Sequence, residues 1–210
     1  MASHLDSGEK AYGLLIPVVC LHDGIGCAGA VTFERRSDNM TNLTSEEFER
    51  VLTIVSKPQH RAFLMLSYFH GMRRGELLRL TPEDFISRHI RIHRLKRRKV
   101  FVQVQPLHPR ELESVERYLT SVEPGRRLFD WSPSVASNLV RQYLTDAGIY
   151  TFPYQKSLHS LRHSCGRAIY KACKDIVVVA DYLGHGSVES SRVYIHSDVN
   201  EVHEIAKGAL

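Results

Sequence analysis

Apolar residues recur at helical spacing along most of the chain and switch to strict alternation only once. In "SEEFERVLTIV", Phe48, Val51, Leu52 and Val55 fall on one stripe, the signature of an amphipathic helix. Thr44 precedes the stripe with Glu47 three places on. In that capping-box pattern each side chain satisfies the other residue's backbone N–H, so a helix is expected to start near Ser45. The segment from Gln59 to Phe69 is nearly all apolar after Arg61, as in a core helix, and Gly71 breaks it. "RRGELLRL" predicts a short helix closed by Pro82. "HIRIHRL" and "KVFVQVQPL" then alternate with a period of two, giving two strands around the basic turn "KRRK". Helices are expected again from Pro109 to Val122, from Pro133 to Ala147 with Ser132 or Ser134 as cap, from Leu158 to Cys173, from Ile176 to Leu183, and from Glu189 to Ile195. The tail "NEVHEIAKGAL" predicts one more. The fold class is therefore mixed α+β and mostly helical, with one small hairpin or sheet. No strand–helix alternation calls for a doubly wound sheet, and no Gly-rich phosphate cradle of the GxGxxG or GxxxxGK[ST] type is written.

The first forty residues lack this patterning. They are Gly-rich, weakly periodic and hold Cys20 and Cys27, two of the four cysteines. The expectation is a flexible leader over 1–40 and a folded domain over 41–210, with Met40 as an alternative start. At 210 residues, 43% hydrophobic and 24% charged, the chain is long enough to bury a proper core. The net charge of +5 is compatible with a nucleic-acid partner without requiring one. No two cysteines form a CxxC pair, so neither a zinc ribbon nor a redox motif is present, and reduced thiols are expected. The apolar run "AYGLLIPVVCLHDGIGCAGAVTF" is interrupted by His22 and Asp23 and does not read as a membrane span.

Candidate chemistry starts at "SLHSLRHSCGR". His159, Arg162 and His163 stand at i, i+3 and i+4 and can share one helix face. Two histidines at that spacing can bind zinc, but the HExxH glutamate is replaced by Ser160 and a guanidinium repels a cation. A planar guanidinium beside imidazoles matches phosphate oxygens better. A solvated helix face, or His163 as a satisfied core histidine, explains the cluster equally well on these residues alone. Three further features bear on the choice. Arg73 and Arg74 follow the Gly71 break, Lys96, Arg97, Arg98 and Lys99 lie at the hairpin tip, and "DYLGHGSVESSRVYIH" places His185 and Tyr194 nine residues apart. Arginines, a lysine, histidines and a tyrosine together suit metal-free nucleophilic phosphoryl transfer, with tyrosine forming a phosphate ester.

The ordered series "HGMRRGEL", "HRLK", "HSLRH", "LGH" and Tyr194 resembles the tyrosine recombinase (integrase) family, whose phrasing is similar to "TGxRxxEL", "HxLRHxxA" and "LGHxxxxxTxxY". The likeness runs from about Thr44 to His196. Its wording is nearest to the short fimbrial phase-variation recombinases, which consist of the catalytic domain with little else. The resemblance implies a site-specific DNA recombinase that cleaves through a 3′-phosphotyrosyl intermediate. It implies Tyr194 as nucleophile, Arg73, Arg162, His159 and His185 around the phosphate, Lys96 as general acid, and Glu76 as a structural carboxylate. Arg74, Arg97, Arg98, Lys99 and His163 are expected to contact DNA. The chain departs from the family pattern at Arg74, at Arg97 and Arg98 where glycine is usual, at Lys99 as a second hairpin lysine, and at Ser191 where threonine is common.

The resemblance further implies no metal and no cofactor, double-stranded DNA with inverted-repeat sites as partner, a homotetramer on paired sites whose C-terminal tails dock on neighbouring subunits, and a cytoplasmic, nucleoid-associated setting in a bacterium. The expected role is inversion of a promoter element for fimbrial or surface-protein phase variation. A mobile-element integrase and an integrase-derived DNA-binding protein without recombinase activity remain the alternatives.

Overall fold

The computed structural model describes residues 42–96, 99–149 and 156–194. The expected leader, Arg97 and Arg98 at the hairpin tip, and the expected tail helix lie outside them.

Local signals set most element ends. Helix α1 (Ser45–Ile54) starts at the capping box: the Glu47 N–H donates to Thr44 Oγ1 at 3.1 Å, and the Thr44 N–H donates to Glu47 Oε2 at 2.9 Å. Its stripe Phe48, Val51 and Leu52 is buried. Helix α2 (Pro58–His70) has proline in its first turn and every residue from Ala62 to Ser67 buried. It ends where Gly71 takes φ 55°, a left-handed conformation that a Cβ would strain. Helix α3 (Arg74–Leu77) is a single turn, shorter than "RRGELLRL" predicts, because the chain beyond it tightens into i→i+3 bonds, from the Arg79 N–H to Glu76 O and from the Leu80 N–H to Leu77 O, each at 3.2 Å.

The sheet has three antiparallel strands in the order β1 (Phe85–Ile86), β2 (His89–Lys96) and β3 (Lys99–Pro106). β1 is too short to leave a periodic signal in the sequence. The β2–β3 register pairs Lys96 with Lys99 across the tip and Arg94 with Phe101. Helices α4 (Pro109–Leu119), α5 (Pro133–Asp146), α6 (Leu158–Cys173) and α7 (Ile176–Leu183) follow. The last described element is a 3₁₀ helix over Val188–Tyr194, where a short helix from Glu189 to Ile195 is expected. Its turns close through i→i+3 bonds such as Ser190 N–H to Ser187 O at 3.2 Å, the tighter geometry that short segments adopt.

The main core surrounds α2, which packs on α4 and α6. Phe63 meets Phe129 and Trp131 edge to face, with ring centroids 5.0 and 5.2 Å apart. A smaller apolar cluster of Cys165, Val179, Leu183 and Tyr194 joins α6, α7 and the 3₁₀ helix. No described helix is long and apolar enough to cross a membrane.

Candidate active site

Two helix ends and one helix face meet beside the second cluster. A Cβ on Gly71 would lie 2.4 Å from Leu183 Cδ2 and 3.2 Å from Cys165 Sγ. Glycine at this position is what lets the end of α2 approach α6 and the end of α7. Arg162 projects from the buried face of α6 into this junction, donating to the carbonyls of Gly71 and Leu183, the latter at 2.8 Å. Both partners are neutral, so the guanidinium keeps its full charge. Arg73 caps α3 and is one-third exposed. It donates to Glu76 Oε1 at 2.9 Å and to the Gly184 carbonyl at 3.2 Å. Of the adjacent pair, Arg73 is therefore the arginine turned toward this junction. Arg74 is exposed and reaches Ser137 Oγ on α5 at 2.9 Å.

Helix α7 ends at Gly184 (φ 64°), which hands the chain to His185. His185 Nδ1 lies 2.5 Å from Ser191 Oγ, and Ser191 is fully buried. This contact holds the imidazole against the 3₁₀ helix that carries Tyr194 three residues later. The Tyr194 ring is stacked on His185, with centroids 6.3 Å apart and planes 7° from parallel, and it meets His163 at 5.7 Å. Its far side rests on α6 at Gly166, where a Cβ would sit 2.5 Å from Tyr194 Cζ. His159 stands exposed on α6. Lys96 closes β2 opposite Lys99.

A third arginine, not singled out by the sequence reading, completes the cluster. Arg94 is fully buried and donates to Glu76 Oε2 at 2.8 Å. The signal was available: Ile90, Ile92 and Arg94 occupy alternate positions of β2 and are all buried, so an arginine continues the apolar face of a strand.

Three guanidiniums around one carboxylate create an excess of positive charge in a dehydrated setting. Burial, then Arg73 and Arg94, pull the Arg162 pKa down to about 10, which leaves it charged at neutral pH. Burial, then Arg162 and Arg73, depress His185 to about 4, so it is neutral at pH 7. Burial also lowers His163, and the neighbouring His159 and Arg162 add to the shift. Tyr194 is pushed up to about 12 by burial, against the opposing pull of Arg162 and Arg73. Its phenol therefore keeps its proton at neutral pH. The ensemble can hold an anion beside a phenol, with two neutral imidazoles adjoining.

The chain matches the phage integrase family over residues 41–201. It is 28% identical over 188 residues to the type 1 fimbriae regulatory protein FimB of Escherichia coli K12, covering 82% of this chain and 93% of FimB. FimE of the same strain is also 28% identical, over 172 residues, covering 74% of this chain and 85% of FimE. Among solved structures, the XerA recombinase superposes with a TM-score of 0.67 at 22% identity, over 80% of this chain and 64% of XerA. The XerH site-specific recombinase in its post-cleavage complex with palindromic difH superposes with a TM-score of 0.64 at 25% identity, over 79% of this chain and about half, 52%, of XerH. The chain belongs to the phage integrase family, as a tyrosine recombinase related to the type 1 fimbriae regulatory proteins.

Proposed function

We propose that this recombinase inverts a DNA segment bounded by short inverted repeats, with Tyr194 as nucleophile, and that the segment carries a promoter for a fimbrial or other surface protein. The observation that carries the chemistry is the seat of Tyr194, stacked on His185 and within electrostatic reach of Arg162 and Arg73. The regulatory role rests on the two fimbriae regulatory relatives, each covered over most of its length.

In the proposed cycle the Tyr194 oxygen attacks the scissile phosphorus. A tyrosyl–phosphate bond forms at the 3′ side, the bond from phosphorus to the 5′ oxygen breaks, and the phenol gives up its proton. Arg73 and Arg162 offset the charge that builds on the non-bridging oxygens. Lys96, at the end of β2, protonates the departing 5′ oxygen. In this reading His185, neutral and held by Ser191, accepts the phenolic proton, and His163 and His159 flank the phosphate. The 5′ hydroxyl of the second site then attacks the ester and releases Tyr194. The ester conserves the bond energy, so cleavage and rejoining balance without an external energy source. Paired sites imply four protomers, with Arg74, Arg97, Arg98 and Lys99 along the DNA.

A nicked site that loses its 5′ fragment after cleavage traps the ester as a protein–DNA adduct on a denaturing gel. Tyr194→Phe is expected to abolish the adduct and leave site binding within about twofold, since one hydroxyl adds little to a phosphate-dominated interface. An adduct of full yield from the phenylalanine variant overturns the assignment of the nucleophile.

A further inference from the structure

We propose that Arg94 is a positioning residue for strand cleavage, the tie that sets Arg73 and the carbonyls holding Arg162 in their working geometry. The inference rests on the reading of Arg73 and Arg162 as the phosphate-binding pair.

Four contacts support it. Arg94 is completely buried, and its NH1 donates to Glu76 Oε2 at 2.8 Å. The other oxygen of that carboxylate accepts from Arg73 at 2.9 Å, so Glu76 is shared between the two arginines. Arg94 NH2 donates to the carbonyls of His70 at 3.1 Å and Tyr182 at 2.9 Å. Each lies next to a residue whose carbonyl receives Arg162: Gly71 follows His70 and Leu183 follows Tyr182. Arg94 Nε donates to Gln103 Oε1 at 2.8 Å, and Gln103 Nε2 in turn donates to the Asp181 carbonyl at 2.9 Å. The aliphatic stem lies under Gly184, where a Cβ would be 2.9 Å from both Cγ and Cδ, and the Gly184 carbonyl is the second acceptor of Arg73. One side chain thus joins the end of α2, the carboxylate of α3 and the end of α7 to a strand that finishes two residues later at Lys96.

Stability alone is a weak explanation for such a group. Replacing a buried ion pair with apolar volume is often neutral or stabilising, whereas a planar fork with five donors can fix several chain segments at once. With Arg94 removed, Glu76 Oε2 is left on the Arg73 N–H that it already accepts at 2.8 Å, and the two carbonyl-bearing turns lose one of the side chains that tie them, Gln105 being another.

The test compares Arg94→Met, Arg94→Lys and Gln103→Ala with the wild-type chain in single-turnover cleavage of a nicked site. Each is measured on a normal phosphodiester and on a methylphosphonate, which lacks one non-bridging charge. Loss of arginine function matters less on the neutral phosphonate, while general structural damage slows both substrates alike. Arg94→Met is expected to lose at least about tenfold on the phosphodiester, part of the loss from removing one transition-state donor, and less than about threefold on the phosphonate. Arg73→Lys should show the same asymmetry, Arg94→Lys should recover part of the rate, and Gln103→Ala should lose less in the same direction. Equal losses on both substrates, or no loss on the phosphodiester, overturn the positioning role. If Arg94→Met does not fold, Gln103→Ala decides by the same ratio, because Gln103 is a partly exposed strand residue. Tyr194→Phe and Arg73→Lys run alongside. An adduct from the former, or no asymmetry in the latter, places the failure in the underlying assignment rather than in Arg94.

Discussion

Among the described residues Arg162 bonds to two backbone carbonyls and to no carboxylate, and that decides what its loss would remove. It is buried, and the Glu76 carboxylate that offsets part of its charge is shared with Arg73 and Arg94. The depression of its pKa to about 10, led by burial and then by Arg73 and Arg94, records the cost of that burial. An arriving phosphodiester relieves it. Arg162→Ala is accordingly expected to slow adduct formation by at least about a hundredfold, of the order of deleting one preorganised transition-state donor. Lysine at this position should restore little, because an ammonium cannot span two carbonyls and a phosphate in one plane. Single-turnover rates on the nicked site, with melting curves to confirm folding, read this out. Wild-type rates for the alanine variant would remove Arg162 from the mechanism. Ser191 works differently: it touches no phosphate-binding group in the described contacts but fixes the imidazole that stacks on Tyr194.

At the scale of elements, Tyr194 is positioned by what α6 omits. Gly166 lies on the buried face of the helix, and an added Cβ would come within 2.5, 2.8 and 2.9 Å of three atoms of the Tyr194 ring. In the interior of a helix alanine is favoured over glycine by about 1 kcal/mol, so the backbone gains nothing from glycine there. Gly166→Ala should therefore leave α6 formed while displacing the ring from His185. Adduct formation is expected to fall at least about tenfold with helix content unchanged by circular dichroism. Undiminished cleavage would show that the tyrosine acts from a different seat. The ends of α6 and α7 match the expected ranges; Ser157 and Asp175 stand at their N-caps, and Lys174 and Gly184 close them in left-handed turns. The hairpin is legible from its alternation, and the candidates Arg73, Arg162, His185 and Tyr194 are named through the resemblance of their motifs to the tyrosine recombinase family. The sequence pattern did not reveal Gly166, since contact between a glycine and a ring 28 residues away has no local period. Nor did it reveal Arg94: strand alternation marks the buried face but not that a charge on that face has a carboxylate waiting from α3. A short helix near Glu189 was legible but not its 3₁₀ type, because so short a run serves either geometry.

Across the described residues, buried titrating groups predict a pH range of greatest stability for the domain. Burial depresses His60, His163 and His185, the last to about 4 from an ordinary 6.5. Burial raises Tyr68, Tyr118, Tyr143, Tyr182 and Tyr194, the last to about 12 from an ordinary 10. The signs follow from proton counts. Below an ordinary imidazole pKa the unfolded chain takes up protons that the native chain refuses. The histidine contribution is thus fully present above about pH 6.5, and it is lost as pH falls toward the native values. Above an ordinary phenol pKa the unfolded chain releases protons that the native chain keeps. The tyrosine contribution is present below about pH 10 and is lost as pH rises through the native values. The urea midpoint should then be nearly flat from about pH 7 to 9 and fall on both sides. His185→Gln should make the acid limb shallower, because one refused proton has been removed while an amide can still reach Ser191. A midpoint that rises as pH falls from 6.5 to 5 would mean that the native site welcomes the charge. His185 would then stand as an imidazolium beside Tyr194, unable to accept its proton, and the base in the proposed cleavage step would have to be another group.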